Sequence, residues 1–589
     1  MELLYFWISS FGCLEEFELC LTPNYSISFE NNKLSLKRRE YLELKLFASQ
    51  IVNLTAIVGE NGSGKSTILD LIIKGRSDIE LYYNSKNESF ILFLNDNFKN
   101  IEIENTTGIS IKINGKLLES SNHVKYHKLL FLSTVYDGKS YDIQKANHPS
   151  DRLINLSTNY LIRAVSDIHR IDYLANEEVP AFFDNIERFE LDELIREIKF
   201  LSLRKYKLPF EVPQEITIIF SNGITTNSAW FNTVKKIINI NIKFSAKVLL
   251  LSIMYHSYSK SNNNSKIDYS NICDDITKII EEELYNDNDL SIGSNFLNNY
   301  YRLTQLLETE FGRNLKLFID EISDKKYNTV LNDKITIRFN NNFELIAFIN
   351  LYFNTIEELG YFNFKWVGLS TGQKAFLNLL SRFTLYNVSF IRNRRYPRLN
   401  GKSILILIDE GESHFHPKWQ KYYIKWLTDF LIQYFNDCKI QIIITSNSPL
   451  ILSDLSSENV IYIKRDDEGK SKKTKLNKFP LTFGANIHTL FTDSFFINDG
   501  LVGEFAKEKI LDAIKYLKNN SSNIGSESKV VSEEWTKEKI KSFIKIIGEP
   551  LIADRLQKLY DEKYKSKEDI ETRIAQLQNE LNIMNNEKN

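Results

Sequence analysis

A chain of 589 residues is longer than one hydrophobic core organises, so two or three lobes are expected. Hydrophobic residues at 43% and charged residues at 25% exclude a fibrous or disordered chain and fit a water-soluble globular one. The formal charge of −2 makes no demand for nucleic acid, and four scattered cysteines without a C-x-x-C pair exclude a disulfide framework or cysteine-built zinc site, which fits a reducing, cytoplasmic setting.

Residues 3–14 are apolar but lack a basic flank and run into Glu15, Glu16 and Glu18, so they read as a buried strand rather than a leader. No apolar run approaches the roughly 18 residues that span a bilayer, so no membrane contact is expected. Segments 3–8 and 25–30 read as two strands of one hairpin, leading through 43–52 to a more informative stretch.

That stretch is LTAIVGENGSGKST, 54–67. An apolar strand from Leu54 to Val58 meets a glycine-rich turn, and a helix follows through Ile68, Leu69, Leu71 and Ile72. Gly59, Gly64, Lys65 and Ser66 fill the spacing G-x-x-x-x-G-K-S. Glycines let successive backbone N–H groups face phosphate oxygens, and the helix N-terminus adds its positive dipole end. Lys65 supplies a mobile cation and the Ser66 hydroxyl a magnesium ligand. The candidate phosphate cradle comprises Gly59, Glu60, Asn61, Gly62, Ser63, Gly64, Lys65, Ser66 and Thr67.

Beyond the loop, 80–94 and 100–115 alternate like a β-meander, and KLLFLSTVYDG (128–138) reads as one more buried strand. From 151 to 360 the pattern turns to amphipathic helices, notably 186–202, 270–285 and 294–311, separated by Asn-rich loops such as 257–268. At 366–385, Ser370-Thr371-Gly372-Gln373-Lys374 opens a helix with apolar residues at Phe376, Leu377, Leu379, Leu380 and Phe383. A serine and a glycine at a helix N-terminus make an anion site, although alone they read first as an ordinary cap.

SILILIDEGESHFHPKWQ (403–420) begins with an apolar run suited to a strand buried on both faces. The run ends in Asp409 and Glu410, where strand C-termini of parallel sheets meet ligands. Asp409 is placed to hold magnesium and Glu410 to take a proton from attacking water. IQIIITSNSPLILSDL (440–455) is another buried strand with a polar end, Thr445 to Ser448.

The segment 459–478 reads as a hairpin whose return arm carries Lys470, Lys472, Lys473, Lys475 and Lys478. This run, like Arg392, Arg394, Arg395 and Arg398, is either a solvated face or a DNA or RNA contact. The stretch 482–506 is too apolar for a linker, and the helical pattern over 564–588 suits a surface helix or a short coiled-coil partner face.

Taken together, the phosphate loop, LSTGQ, LILIDE and TSNSP resemble, in their order, the four motifs of the ATP-binding-cassette (ABC) superfamily in its non-transporter branch. The wording from Asp409 through His414, His416 and Gln420 resembles the bacterial AAA family ATPases of antiphage systems, and 482–506 resembles a segment of the Septu-type and retron-associated ones. The resemblance covers about 1–150 and 360–500. It implies an α/β ABC-ATPase head, with a mixed or parallel sheet core, helices and an N-terminal antiparallel subdomain. The head would be built from 1–150 and 361–480, with a helical insertion at 151–360 and a helical, partner-binding extension at 481–589.

The resemblance further implies ATP and Mg2+ as ligands. Two heads would join head-to-tail in a homodimer, Ser370, Gly372 and Gln373 of one clamping the γ-phosphate held by the other. One departure stands out: Asn447 occupies the place of the family's switch histidine, so either hydrolysis is slow or the nucleotide serves as a structural clamp. The family's magnesium-contacting glutamine has no evident match, Ser133 and Gln144 being the nearest residues. After Asn447 only Asp493 and Asp499 approach a D-x-D pair, and no H-N-H pattern stands out. A nuclease effector, HNH type favoured, is therefore expected on a separate chain. A DNA-repair ATPase, a nucleotide-locked scaffold and a standalone toxin are the alternatives.

Overall fold

The computed structural model describes residues 1–39, 46–114, 128–136, 153–163, 185–202, 206–220, 327–331, 334–355, 362–384, 402–473, 481–487, 503–518 and 535–564, with residues 313, 317, 399, 490 and 578 singly. Expectations on 257–268, 270–285, 294–311, Gln144, Arg392, Arg394, Arg395, Arg398, Lys475, Lys478, Asp493, Asp499 and nearly all of 564–588 lie outside the described residues. The chain divides into two compact units, Met1–Phe495 and Phe496–Asn589.

The larger unit is built on a seven-stranded sheet. Its order is Leu153–Asn155, Lys128–Ser133, Ser403–Asp409, Lys439–Ser446, Ile51–Gly59, Val460–Arg465 and Ser471–Lys473. Every pairing is parallel except the last. The near-continuous Ile and Leu runs are what such a sheet requires, because both faces are covered. Leu405, Leu407, Ile443, Ile57 and Ile461 duly share one core with Leu69 and Ile72 of the helix Lys65–Lys74.

Register fixes the functional edge. Ser133 pairs with Asp409, Asp409 with Thr445, Ser446 with Val58, and Gly59 with Ile463. The C-terminal ends of these adjacent strands therefore lie in one row, at the edge where parallel sheets bind ligands.

Before and after the phosphate loop the chain forms two smaller sheets. One orders Leu14–Cys20, Glu2–Phe11, Ile79–Asn84, Ser89–Leu94 and Ile111–Asn114; the other Tyr25–Glu30, Lys33–Arg38 and Glu102–Asn105. The expected hairpin between 3–8 and 25–30 does not form. Gly12, at φ 62°, turns the first strand back onto Leu14–Cys20, and Asn31 and Asn32, at φ 50° and 60°, close Tyr25–Glu30 onto Lys33–Arg38. Two successive left-handed residues make the tight turn that right-twisted strands prefer, which local chemistry supplies at Asn31 and Asn32.

Within 151–360 the helix Asn185–Ser202 stands where the periodicity places it. The same stretch contributes strands that the helical reading passed over. Tyr327–Leu331, Lys334–Arg338 and Glu215–Phe220 form, with Phe362–Trp366, a four-stranded antiparallel sheet. Its alternation buries Ile216, Ile218, Ile335 and Ile337 on one face.

The second unit contains the helices Glu504–Lys518, Lys537–Ile546 and Pro550–Tyr564, which share a core of Ile510, Ala513, Leu517, Ile540, Ile544, Leu556 and Tyr560. Among the described residues no helix is long and apolar enough to cross a membrane.

Candidate nucleotide site

The phosphate loop is drawn tight against the strand beside it. A Cβ on Gly59 would fall 2.1 Å from the Ile463 carbonyl oxygen, and one on Gly64 2.4 Å from Ser471 Oγ. Gly62 and Gly64 take φ of 80° and 102°, conformations that only glycine enters freely and that gather successive amides into an anion-binding concavity. Ser63 Oγ is buried with no hydrogen-bond partner. Lys65 Nζ donates to the carbonyls of Gly59 at 2.9 Å and Glu60 at 3.2 Å. Burial lowers its pKa, opposed by the charges of Glu410, Asp409 and Glu412. The tight glycines, the orphaned hydroxyl and the desolvated ammonium fit a polyphosphate ligand.

Two candidate magnesium ligands lie 343 residues apart in the sequence. Ser66 Oγ donates to Asp409 Oδ1 at 3.2 Å. Thr445 Oγ1 donates to the same oxygen at 2.5 Å and accepts from the Glu410 N–H at 3.0 Å. Magnesium is characteristically held by one or two protein oxygens together with substrate phosphates and water, so this small donor set fits it. Among the described residues, no group of three or more His, Cys, Asp or Glu side chains forms a metal site by itself.

Glu410 sits just past its strand with φ 47°, a left-handed conformation uncommon for a residue with a side chain. Asn447 follows the neighbouring strand, and its Nδ2 donates to Glu410 Oε1 at 2.7 Å and to Asn61 Oδ1 at 3.3 Å. The fold thus brings the glycine-rich loop, Asp409, Glu410 and Asn447 together.

It does not bring the LSTGQ segment to them by any hydrogen bond among the described residues. Ser370 and Gln373 bond each other reciprocally, Ser370 N to Gln373 Oε1 at 2.8 Å and Gln373 N to Ser370 Oγ at 3.3 Å, as a capping box on Thr371–Phe383. A Cβ on Gly372 would meet the His414 carbonyl at 3.7 Å. His416 Nδ1 accepts from Lys418 N at 3.2 Å and caps the short helix Pro417–Gln420. Ser133 has its carbonyl engaged by Arg382 Nη1 at 3.1 Å.

On the lysine-rich hairpin arm, Lys470 pairs with Glu15 at 2.8 Å and Glu468 at 3.1 Å, and Lys472 with Asp466 at 2.7 Å. Much of the described basic run is therefore neutralised within the chain.

Thr445 has a role the motifs alone did not assign. Its signal was register: a hydroxyl at the end of a strand directly opposite Asp409.

A family model described as AAA ATPase domain matches residues 1–452. The chain is 24% identical over 464 residues to a retron Vc95 probable ATPase of Vibrio cholerae serotype O1 biovar El Tor, covering 77% of this chain and 78% of that protein. It is 22% identical over 441 residues to a retron Ec83 probable ATPase of Escherichia coli, covering 72% and 69% respectively. A shorter match, 28% over 146 residues, is to the Septu protein PtuA of Bacillus mycoides (strain KBAB4), covering 24% of this chain and 19% of that one.

Proposed function

Because this chain belongs to the AAA ATPase domain family and is an ATPase, we propose that it is the ATP-hydrolysing sensor or regulatory subunit of a prokaryotic antiphage complex, acting in the cytoplasm and gating a separate effector nuclease. The observation that carries the reading is the meeting of Lys65, Ser66, Asp409, Glu410 and Asn447 at adjacent strand ends. The names of the relatives support the setting; the separate effector, HNH type favoured, is this reading's own expectation.

In this reading the amides of the loop from Gly59 to Thr67 hold the ATP phosphates, with Lys65 against the outer ones. Ser66 and Asp409 would hold Mg2+, which neutralises charge on the phosphate oxygens when bound. Thr445 keeps Asp409 in place, and Asn447 orients the Glu410 carboxylate. Water attacks the γ-phosphorus, its proton passes to Glu410, and the bond to the β–γ bridging oxygen breaks to leave ADP and phosphate. Ser370, Gly372 and Gln373 act on the ATP of a second copy in a head-to-tail dimer. The head comprises 1–150 and 361–480, the insertion 151–360 and the partner-binding extension 481–589.

One observation favours a second reading. Asn447 offers Glu410 an amide, which shuttles no proton, so slow turnover would let ATP serve as a lasting clamp. Affinity purification from the native host tests the primary reading. An HNH-type nuclease should accompany wild type, whereas the chain isolated without a nuclease, or with turnover stimulated by DNA ends, would favour a scaffold or a repair ATPase respectively.

A further inference from the structure

Behind Asn447 lies a second glutamate that the hydrolytic reading leaves unused. The left-handed turn at Glu410 separates the two acids: Glu410 is partly exposed, and Glu412, two residues on, is 3% exposed. Gly411 between them has no room for a side chain, since a Cβ there would lie 2.4 Å from the Tyr423 hydroxyl and 2.7 Å from Ile408 Cγ2. The turn is therefore fixed from below.

The Glu412 carboxyl faces the segment that carries Asn447. The fully buried Ser446 hydroxyl donates to Glu412 Oε1, and the backbone N–H groups of Glu412 and Asn447 favour its charged form. Ser446 Oγ in turn accepts from Ser448 N at 2.9 Å. Ser448 Oγ donates to Gln420 Oε1 at 2.8 Å, and Gln420 Nε2 returns to the Phe415 carbonyl at 3.0 Å and the Glu412 carbonyl at 3.4 Å. Both neighbours of Asn447 are thus tied to the turn that bears Glu410 and Glu412. Glu410, Glu412, Gln420, Asn447 and Ser448 share the wall of one cavity of about 700 Å³.

We propose that Glu412 is a positioning residue that fixes Asn447 against Glu410 through Ser446 and the Asn447 backbone, and so sets the rate of hydrolysis without touching nucleotide. Burial pushes its carboxyl up to about 7, partly offset by the Ser446 and backbone donors, and Oε2 has no hydrogen-bond partner. The inference rests on the reading that Asn447 orients Glu410 to take the proton of the attacking water.

The test compares kcat and KM for ATP in the full-length wild type, Asn447→Ala, Glu412→Ala, Glu412→Gln, Ser446→Ala and the Glu412→Ala/Asn447→Ala double variant. Glu412→Ala and Ser446→Ala should each lower kcat about tenfold with KM within about twofold, and the double variant should be no slower than Asn447→Ala alone. Glu412→Gln should stay within about threefold of wild type, because its amide oxygen can accept from Ser446 and the Asn447 N–H. If Glu412→Ala does not fold, Ser446→Ala and Glu412→Gln carry the test. Independent, multiplying losses, a loss confined to KM, or no rescue by glutamine would overturn the inference alone. An Asn447→Ala variant that turns over like wild type would remove the reading beneath it as well.

Discussion

Asn447 places an amide 2.7 Å from Glu410 Oε1 at a position where a titrating imidazole would add proton transfer. Asn447→His is therefore expected to raise ATP turnover by about tenfold, measured as phosphate release at saturating ATP. Unchanged turnover would show that the amide does not limit the rate. Gly64 gives a sterically harder prediction. With φ 102° and a Cβ position 2.4 Å from Ser471 Oγ, Gly64→Ala combines backbone strain with a clash on the loop itself. Strain of about 1–3 kcal/mol, borne in the nucleotide-holding conformation, corresponds to a loss of about 5- to 150-fold in ATP affinity by calorimetry. An affinity equal to wild type would show that the loop relaxes freely. The residues of this site were legible where chain-local chemistry dictates their types: glycines for a cramped turn, then lysine and serine, and acids after an apolar strand. Thr445 and Glu412 were not, because each acts through a partner on a neighbouring strand or turn, which only register reveals.

Helix Asn185–Ser202 meets strand Phe362–Trp366 through a buried polar contact, Trp366 Nε1 donating to Glu197 Oε2 at 2.6 Å. Burial, reinforced by the Glu193 charge, pushes Glu197 up to about 8, against the smaller opposing effects of Trp366, Lys374 and Arg196. A carboxyl whose folded pKa exceeds its unfolded one stabilises most below the unfolded value, near 4.5, and that contribution is lost as pH rises through about 8. Wild type should therefore lose thermal stability between pH 5 and pH 8.5 by more than Glu197→Gln does, since the glutamine oxygen still accepts from Trp366 and never ionises. Parallel melting curves across that window would contradict the assignment. On the same helix Glu193 bonds Arg382 of the helix Thr371–Phe383 at 3.2 Å, with both side chains 3% exposed. Arg382→Ala would leave Glu193 with less of its compensation, and a loss of about 3–5 kcal/mol in chemical denaturation is expected. Elements with a long apolar run or a clear helical period were legible from the sequence. The strand partners were not: turn residues at Gly12, Asn31 and Asn32 redirected the first hairpins, and short alternating segments far apart in the chain assembled the four-stranded sheet.

At the scale of the whole molecule, the capping box keeps Ser370 and Gln373 bonded to each other, and no hydrogen bond among the described residues joins them to the phosphate loop of their own chain. Completion of the site by a second copy follows from the proposed ABC-type organisation, and sedimentation tests it. Glu410→Gln with ATP and magnesium should sediment as a dimer, Lys65→Ala should not, and a monomer in both would contradict the head-to-tail arrangement. The central claim is narrower: one site, assembled from Lys65, Ser66, Asp409, Glu410 and Asn447, binds ATP and hydrolyses it. The most direct measurement is ATP binding and turnover by the purified full-length chain, with Lys65→Ala and Glu410→Gln in parallel. Wild type should turn ATP over slowly, Glu410→Gln should bind it without turnover, and Lys65→Ala should do neither. Turnover in Glu410→Gln equal to wild type, or undiminished binding in Lys65→Ala, would rule out this single site.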